Sequence, residues 1–189
     1  MTAHEPRILE FVRDGIANGL LEDIESRHLK HRMPAVDICC GDYRRVDEGM
    51  KHLAGLRGYE PHEDPQSHLF RWHGGAPRLV PESKSNRNSP NAHEVFFSDV
   101  VQAPRLTGIN YFKLRAHLPC GWALDTGMEP EEVVGDLVTA RTRLVEFNPQ
   151  LEVLTLLHVD YRPLTGEAKM RNYLVPPEKW VTHRHTALH

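Results

Sequence analysis

The sequence predicts an α/β fold: a mostly parallel central β-sheet flanked by helices, with an antiparallel edge strand. Three observations predict it. Short apolar runs alternate along the chain with longer segments of helical periodicity. The run Ala35-Val36-Asp37-Ile38-Cys39-Cys40 reads as a short strand, and Leu151 to Val159 as a strongly apolar one. After the second of these, the turn residues Pro163-Leu164-Thr165-Gly166 lead into a final run, Ala168 to Val175, which can return antiparallel.

The elements follow in order. Residues 1–33 form an amphipathic helical arm, with a helix expected from about Pro6 to Lys30. Ile8, Leu9, Val12, Ile16, Leu20 and Ile24 recur there at helical spacing, and Gly15 and Gly19 weaken it. Pro34 resets the backbone and opens an α/β domain, 34–175. Its first strand is followed by a helix from Val46 to Leu56, stopped by Gly58. Leu69-Phe70-Arg71-Trp72 is a second strand that runs into His73-Gly74-Gly75-Ala76-Pro77. Pro81 to Pro90 has a loop composition. A helix from about Ala92 to Ala103 carries Val95, Phe96, Val100 and Val101, and Ile109 to Ala116 is a third strand. Pro130 to Phe147 is the clearest helix: Pro130 suits its first position, Glu131 and Glu132 its first turn, and Arg141 and Arg143 its end. Residues 176–189 form a polar tail in which His183, His185 and His189 are expected to fray.

One feature strains this scheme. The third strand contains Lys113 and Arg115, although a central parallel strand is apolar on both faces. Either that face is partly open or both side chains find acidic partners.

Composition narrows the function. The chain has 189 residues, the size of one domain, and a formal net charge of -3. A dedicated nucleic-acid binder would show a basic excess. No run approaches the ~20 apolar residues of a membrane span. Met1-Thr2-Ala3-His4-Glu5-Pro6 lacks the layout of a signal peptide, so the cytoplasm is the expected compartment. Three cysteines in such a chain favour metal binding or free thiols over a disulfide framework.

The chemistry lies in two motifs, Cys40-Gly41-Asp42-Tyr43-Arg44 and His117-Leu118-Pro119-Cys120. Two thiolates and an imidazole suit zinc and leave a fourth position. In an extended strand residues two apart share a side, so Cys40 brings Asp42 and Arg44 with it if the chain stays extended. Cys39 would bring only Gly41 and Tyr43, and it reads as a buried strand residue. Cys39 and Arg45 also match the C-x5-R spacing of cysteine phosphatases, but that reading needs glycines in the phosphate loop, and Asp42 is a poor neighbour for phosphate. His117 and Cys120 are three apart at a strand end, so a helical turn brings both to one metal. Strand ends at the carboxyl edge of a parallel sheet are where ligands gather.

This pair of motifs resembles the β-class carbonic anhydrases, whose signature is C-x-D-x-R followed by H-x-x-C. Leu69 to Gly75 resembles the family's strand and Asn-Ala-Gly loop. Leu154 to Met170, with Tyr161 and Thr165-Gly166, resembles its closing strand, turn and edge strand, so the likeness spans most of residues 34–175. The resemblance implies that Cys40, His117 and Cys120 hold Zn2+, and that Asp42 and Arg44 form a catalytic dyad. The implied reaction is reversible hydration of carbon dioxide to bicarbonate by zinc-bound hydroxide, with Asp42 accepting a hydrogen bond from it. Because two thiolates cancel the charge of the ion, the groups around it must help acidify the water. Arg44 would hold Asp42 in place and keep it ionised.

Other readings stay open. The family also has an inactive arrangement in which the Asp takes the fourth zinc position. A purely structural site closed by Asp42, or a hydrolase of carbon disulfide or carbonyl sulfide, would carry the same ligands. The two Cys and the His could also be unrelated side chains. His62, His68, His73 and His93 are candidate proton carriers by type. Asp125 and Asp160 could line a cleft, whereas Trp72 and Phe70 read as core. The family's N-terminal helix packs across a neighbouring subunit, so a homodimer or dimer of dimers is expected, with a small-molecule substrate and neither nucleic acid nor membrane as partner.

Overall fold

The computed structural model describes residues 4–60, 62–63 and 66–186; the side chains of residues 4, 43–46 and 184–186 lie outside the description. In chain order the elements are α1 (His4–Ala17), β1 (Glu22–Asp23), β2 (Ala35–Cys39), α2 (Tyr43–Leu56), β3 (Ser67–Arg71), α3 (Ala92–Thr107), β4 (Tyr111–Leu118), α4 (Gly121–Thr126), α5 (Pro130–Phe147), β5 (Glu152–Asp160), α6 (Arg162–Thr165), β6 (Met170–Leu174) and α7 (Pro177–Thr186). One sheet has the order β1-β6-β5-β4-β2-β3. Strands β3, β2, β4 and β5 run parallel, and β6 returns antiparallel to β5. The two-residue β1 pairs antiparallel with β6 and extends that edge. The mostly parallel α/β sheet with an antiparallel edge is as the sequence predicts.

The sheet's two faces differ in character. Val36, Ile38, Phe112, Leu114, Leu157 and Val159 lie on one face and are all fully buried. Helix α5 packs over β4 and β5 there through residues such as Leu137, Ala140 and Leu144. On the other face the register sets Asp37 of β2 beside Lys113 of β4. The Lys113 Nζ lies 2.5 Å from one Asp37 oxygen, and the Arg115 Nε lies 2.8 Å from the other. That answers the anomaly of the third strand: both cations share one buried carboxylate. Further along this face His158 Nδ1 meets Asn172 Oδ1 at 2.9 Å, and Asn172 Nδ2 meets His52 Nδ1 at 2.8 Å. Leu53 of α2 packs with Ile24, Leu29 and Leu156 to close its apolar end.

The N-terminal helix is shorter than its periodicity predicts. It ends at Ala17 rather than near Lys30, because the Gly15 carbonyl accepts the Leu20 and Leu21 N–H groups at 2.8 and 3.1 Å. Gly19 takes the left-handed conformation that turns the chain. Leu20 and Ile24 are buried as the pattern requires, but from a turn and a loop. Helix α2 begins one turn earlier than expected, at Tyr43, and α3 continues through Pro104 to Thr107. The Pro163 to Gly166 turn contains the short helix α6. The polar tail is not frayed over 177–186: it forms α7, anchored by Trp180, which meets Phe11 edge-to-face at 6.1 Å. His189 lies outside the described residues. Among the described residues no helix is long and apolar enough to cross a membrane.

Candidate metal centre

Strand β2 delivers the first ligand. Its ladder ends at Cys39, where the chain leaves the extended form before α2 begins. Trp72, just past β3, holds Cys40 beside it: its N–H donates to the Cys39 carbonyl at 3.2 Å, and its carbonyl accepts the Gly41 N–H at 3.1 Å. The same carbonyl accepts the Gly75 N–H at 2.8 Å. Gly75 has φ +61, and a Cβ there would stand 2.8 Å from the Cys40 nitrogen and 3.0 Å from the Cys39 carbonyl carbon. Only glycine lets this loop lie against Cys40.

Strand β4 delivers the other two. His117 is its penultimate residue, and Cys120 is the N-cap of α4, its carbonyl accepting the Leu124 N–H at 3.0 Å. The ligand atoms of Cys40, His117 and Cys120 all lie within 4.8 Å of one another, and all three residues are buried. Neither ring nitrogen of His117 makes a well-aligned hydrogen bond among the described residues. Buried imidazoles are ordinarily satisfied. Two thiols and an unsatisfied imidazole converging at the carboxyl edge of a parallel sheet therefore fit a tetrahedral ion with soft ligands, zinc above all.

The thiols are electrostatically linked. A hydrogen bond from the Cys120 thiol, then the nearby His117 and the Asp42 N–H, pulls Cys40 down to about 3 despite its burial. The same hydrogen bond, together with burial, pushes Cys120 up. A divalent cation would take the place of both thiol protons. Cys39 differs from both. Burial pushes its thiol up, and it sits on the opposite face of the sheet beside Arg115. That is contrary to what a C-x5-R nucleophile needs, and the Arg45 side chain lies outside the described residues.

The extended-strand alignment of Cys40, Asp42 and Arg44 does not occur, because the strand ends at Cys39. Asp42 reaches the site from a turn instead. It lines a cleft of about 390 Å³ with Cys40, Gly41, His73, Cys120, Gly121 and Trp122. The Arg44 side chain lies outside the described residues.

Of the four candidate histidines, only His73 lines this cleft, stacked on Trp122 at 5.9 Å and 18°. His68 packs on Phe70 in the edge strand, His93 Nδ1 meets the Pro90 carbonyl, and His62 is exposed in a turn. Asp125 accepts from Asn88, and Asp160 accepts the Arg162 N–H. Phe70 and Trp72 pack against Phe96 of α3.

Sequence reasoning missed three residues of this region. His158 stands opposite His117 in register, and burial lowers its pKa to about 4, so it is neutral. Trp122, two residues past Cys120, donates its indole N–H to the buried Ser85 carbonyl and hydroxyl at 2.9 and 3.1 Å. Arg78 is 1% exposed, with its guanidinium carbon 5.3 Å from the Trp72 ring and 5.0 Å from the Trp122 ring. Of these, only Trp122, beside a ligand motif, carried a sequence signal.

No protein-family model matches the sequence, and no curated protein matches it. Among solved structures the chain is similar to the wild-type β-carbonic anhydrase CafD of the fungus Aspergillus fumigatus. The TM-score is 0.48 at 9% identity, over 82% of this chain and 99% of that one. It is also similar to a carbonic anhydrase from Streptococcus mutans, with TM-score 0.39 and 14% identity over 93% of this chain and 99% of that one. A β-carbonic anhydrase isoform from Trichomonas vaginalis gives TM-score 0.39 and 15% identity over 91% and 97%. Likeness at that level carries no functional argument, and the reading of the site rests on its own residues.

Proposed function

We propose that this chain is a zinc-dependent enzyme of the β-carbonic anhydrase type, catalysing reversible hydration of carbon dioxide to bicarbonate. The observation that carries the reading is the buried Cys40, His117 and Cys120 cluster, whose imidazole makes no well-aligned hydrogen bond among the described residues and which opens on a cleft holding Asp42. Zinc held there would supply a Lewis acid that acidifies a water at the cleft.

The chain's own residues do the rest. The two thiolates and His117 would hold the ion, Cys40 and Cys120 from the wall of the cleft. The carboxylate of Asp42 would accept a hydrogen bond from the reacting water and orient it. The reading assigns Arg44 to hold Asp42. Trp122, pinned by Ser85, and His73 wall the cleft and shape its access. A homodimer or dimer of dimers belongs to the same proposal; sedimentation as a monomer at micromolar concentration counts against it.

Stopped-flow carbon dioxide hydration by the zinc-loaded chain tests the reaction. Turnover that falls at least tenfold in Asp42→Ala at unchanged zinc content supports it. Full zinc with no turnover from mildly acidic to alkaline pH overturns it in favour of a structural or closed site. Turnover of carbon disulfide alone would replace carbon dioxide as the substrate.

A further inference from the structure

One ring nitrogen of His117 has no role in the metal centre. When one nitrogen of an imidazole ligates an ion, the other carries a hydrogen and, if buried, needs an acceptor. His117 is 6% exposed. Its neighbours along β4 on the same face are Arg115 and Lys113, whose side chains only donate.

An acceptor of the right kind stands on the next strand. His158 of β5 is the register partner of His117, so the two side chains leave strands about 5 Å apart on one face. His158 is 5% exposed, and its Nε2 has no hydrogen-bond partner among the described residues. Its Nδ1 meets Asn172 Oδ1 at 2.9 Å, and Asn172 Nδ2 meets His52 Nδ1 at 2.8 Å. This chain of contacts has a direction. The amide nitrogen only donates, so His52 Nδ1 accepts; the amide oxygen only accepts, so the hydrogen of His158 sits on Nδ1. Nε2 is left with a lone pair. Gly49 of α2 lies against the ring, where a Cβ would stand 3.2 Å from His158 Nδ1.

We propose that His158 is a positioning residue of the metal site: its Nε2 accepts the N–H of metal-bound His117, and Asn172 and His52 hold it in the tautomer that can do so. The inference rests on the metal-site reading above. His158 touches neither ion nor substrate. It fixes which nitrogen of His117 faces the ion and raises the basicity of that nitrogen. His52 is exposed, so the chain of contacts ends at the surface of α2. Reversing the Asn172 amide would put a hydrogen on His158 Nε2, facing that of His117, and break the arrangement.

The test uses the full zinc-loaded chain with isotope-labelled histidine. Long-range proton–nitrogen NMR reads the tautomer of each ring. The hydrogen of His158 is expected on Nδ1; a hydrogen on Nε2 overturns the inference without any substitution. Chelator competition then reads zinc affinity. Losing the outer partner of a ligating histidine weakens metal binding about 10- to 100-fold, so His158→Phe, which keeps a ring and removes the acceptor, is expected to weaken zinc at least about tenfold. His158→Gln, whose carbonyl oxygen can stand where Nε2 was, is expected to stay within about threefold of the parent. Equal weakening in both assigns His158 to packing and overturns the inference, as does unchanged affinity in His158→Phe. Asp160 is the next side chain on this face. Zinc lost in Asp160→Asn and kept in His158→Phe makes Asp160 the acceptor and overturns the inference too. Should His158→Phe fail to fold, the tautomer in the parent chain decides. A parent chain that takes up no zinc overturns the metal reading and this inference together; zinc uptake with the other tautomer sinks only this inference.

Discussion

Replacing Asp37 by Asn tests how the sheet tolerates two cations in its centre. Asp37 is 1% exposed, and its partners stand 2.5 and 2.8 Å away. At an effective dielectric of about 20, each contact carries about 6 kcal/mol of gross attraction, most of which is offset by desolvation. Removing the anion leaves Lys113 and Arg115 buried and uncompensated, so Asp37→Asn is expected to cost about 3–5 kcal/mol. Adding Lys113→Met to Asp37→Asn should recover part of this, giving a coupling of about 1–3 kcal/mol in a double-mutant cycle. Urea unfolding followed by circular dichroism reads both. A loss below about 1 kcal/mol in Asp37→Asn would refute the argument, because two stranded cations cannot be that cheap in a dry sheet. Acid adds a second reading. Burial pushes the Asp37 carboxyl up, but Arg115 and Lys113 together outweigh burial and hold it below the usual carboxylate range. Its unfolded pKa is about 3.9. The folded state therefore binds fewer protons, and the stabilisation is fully present above about pH 4 and lost as pH falls through the lower folded value. The parent should lose stability more steeply than Asp37→Asn over that window.

Three further outcomes follow from the packing around the site. Gly75→Ala places a Cβ against the Cys40 and Cys39 backbone at positive φ, and should cost about 2 kcal/mol or more while weakening zinc retention against a chelator. Trp180→Ala should cost about 3–5 kcal/mol in thermal or urea unfolding, since Trp180 is 4% exposed and packs on Phe11; a frayed tail would lose nothing measurable. Ser85→Ala removes one of the two acceptors of the Trp122 indole, and should leave zinc content unchanged while raising the mobility of Trp122 in its fluorescence anisotropy.

The two ligand motifs were legible because their spacing is short and local: Cys40 stands at a strand end, and His117 and Cys120 span one turn. Alternation of apolar runs with helical periodicity was enough for the parallel sheet. What stayed hidden depends on contacts between distant segments. Asp37 sits inside an apolar run, and nothing local shows that register sets it beside Lys113. Burial of Trp180 in a polar segment depends on α1 being there to receive it. Strand β1 is two residues long and exists because β6 offers an edge. The burial of Arg78 requires Trp72, just past β3, and Trp122 of α4 to converge. Extension past Cys39 failed as an assumption for a nearer reason: α2 starts at Tyr43, only three residues past Cys40.

Zinc stoichiometry in the parent chain and in Cys39→Ser, Cys40→Ser and His117→Ala tests the central claim most directly. Near one zinc per chain is expected in the parent and in Cys39→Ser, with loss in Cys40→Ser and His117→Ala. A parent chain that takes up no zinc when it is supplied, or zinc lost with Cys39 and kept without Cys40, would contradict the account.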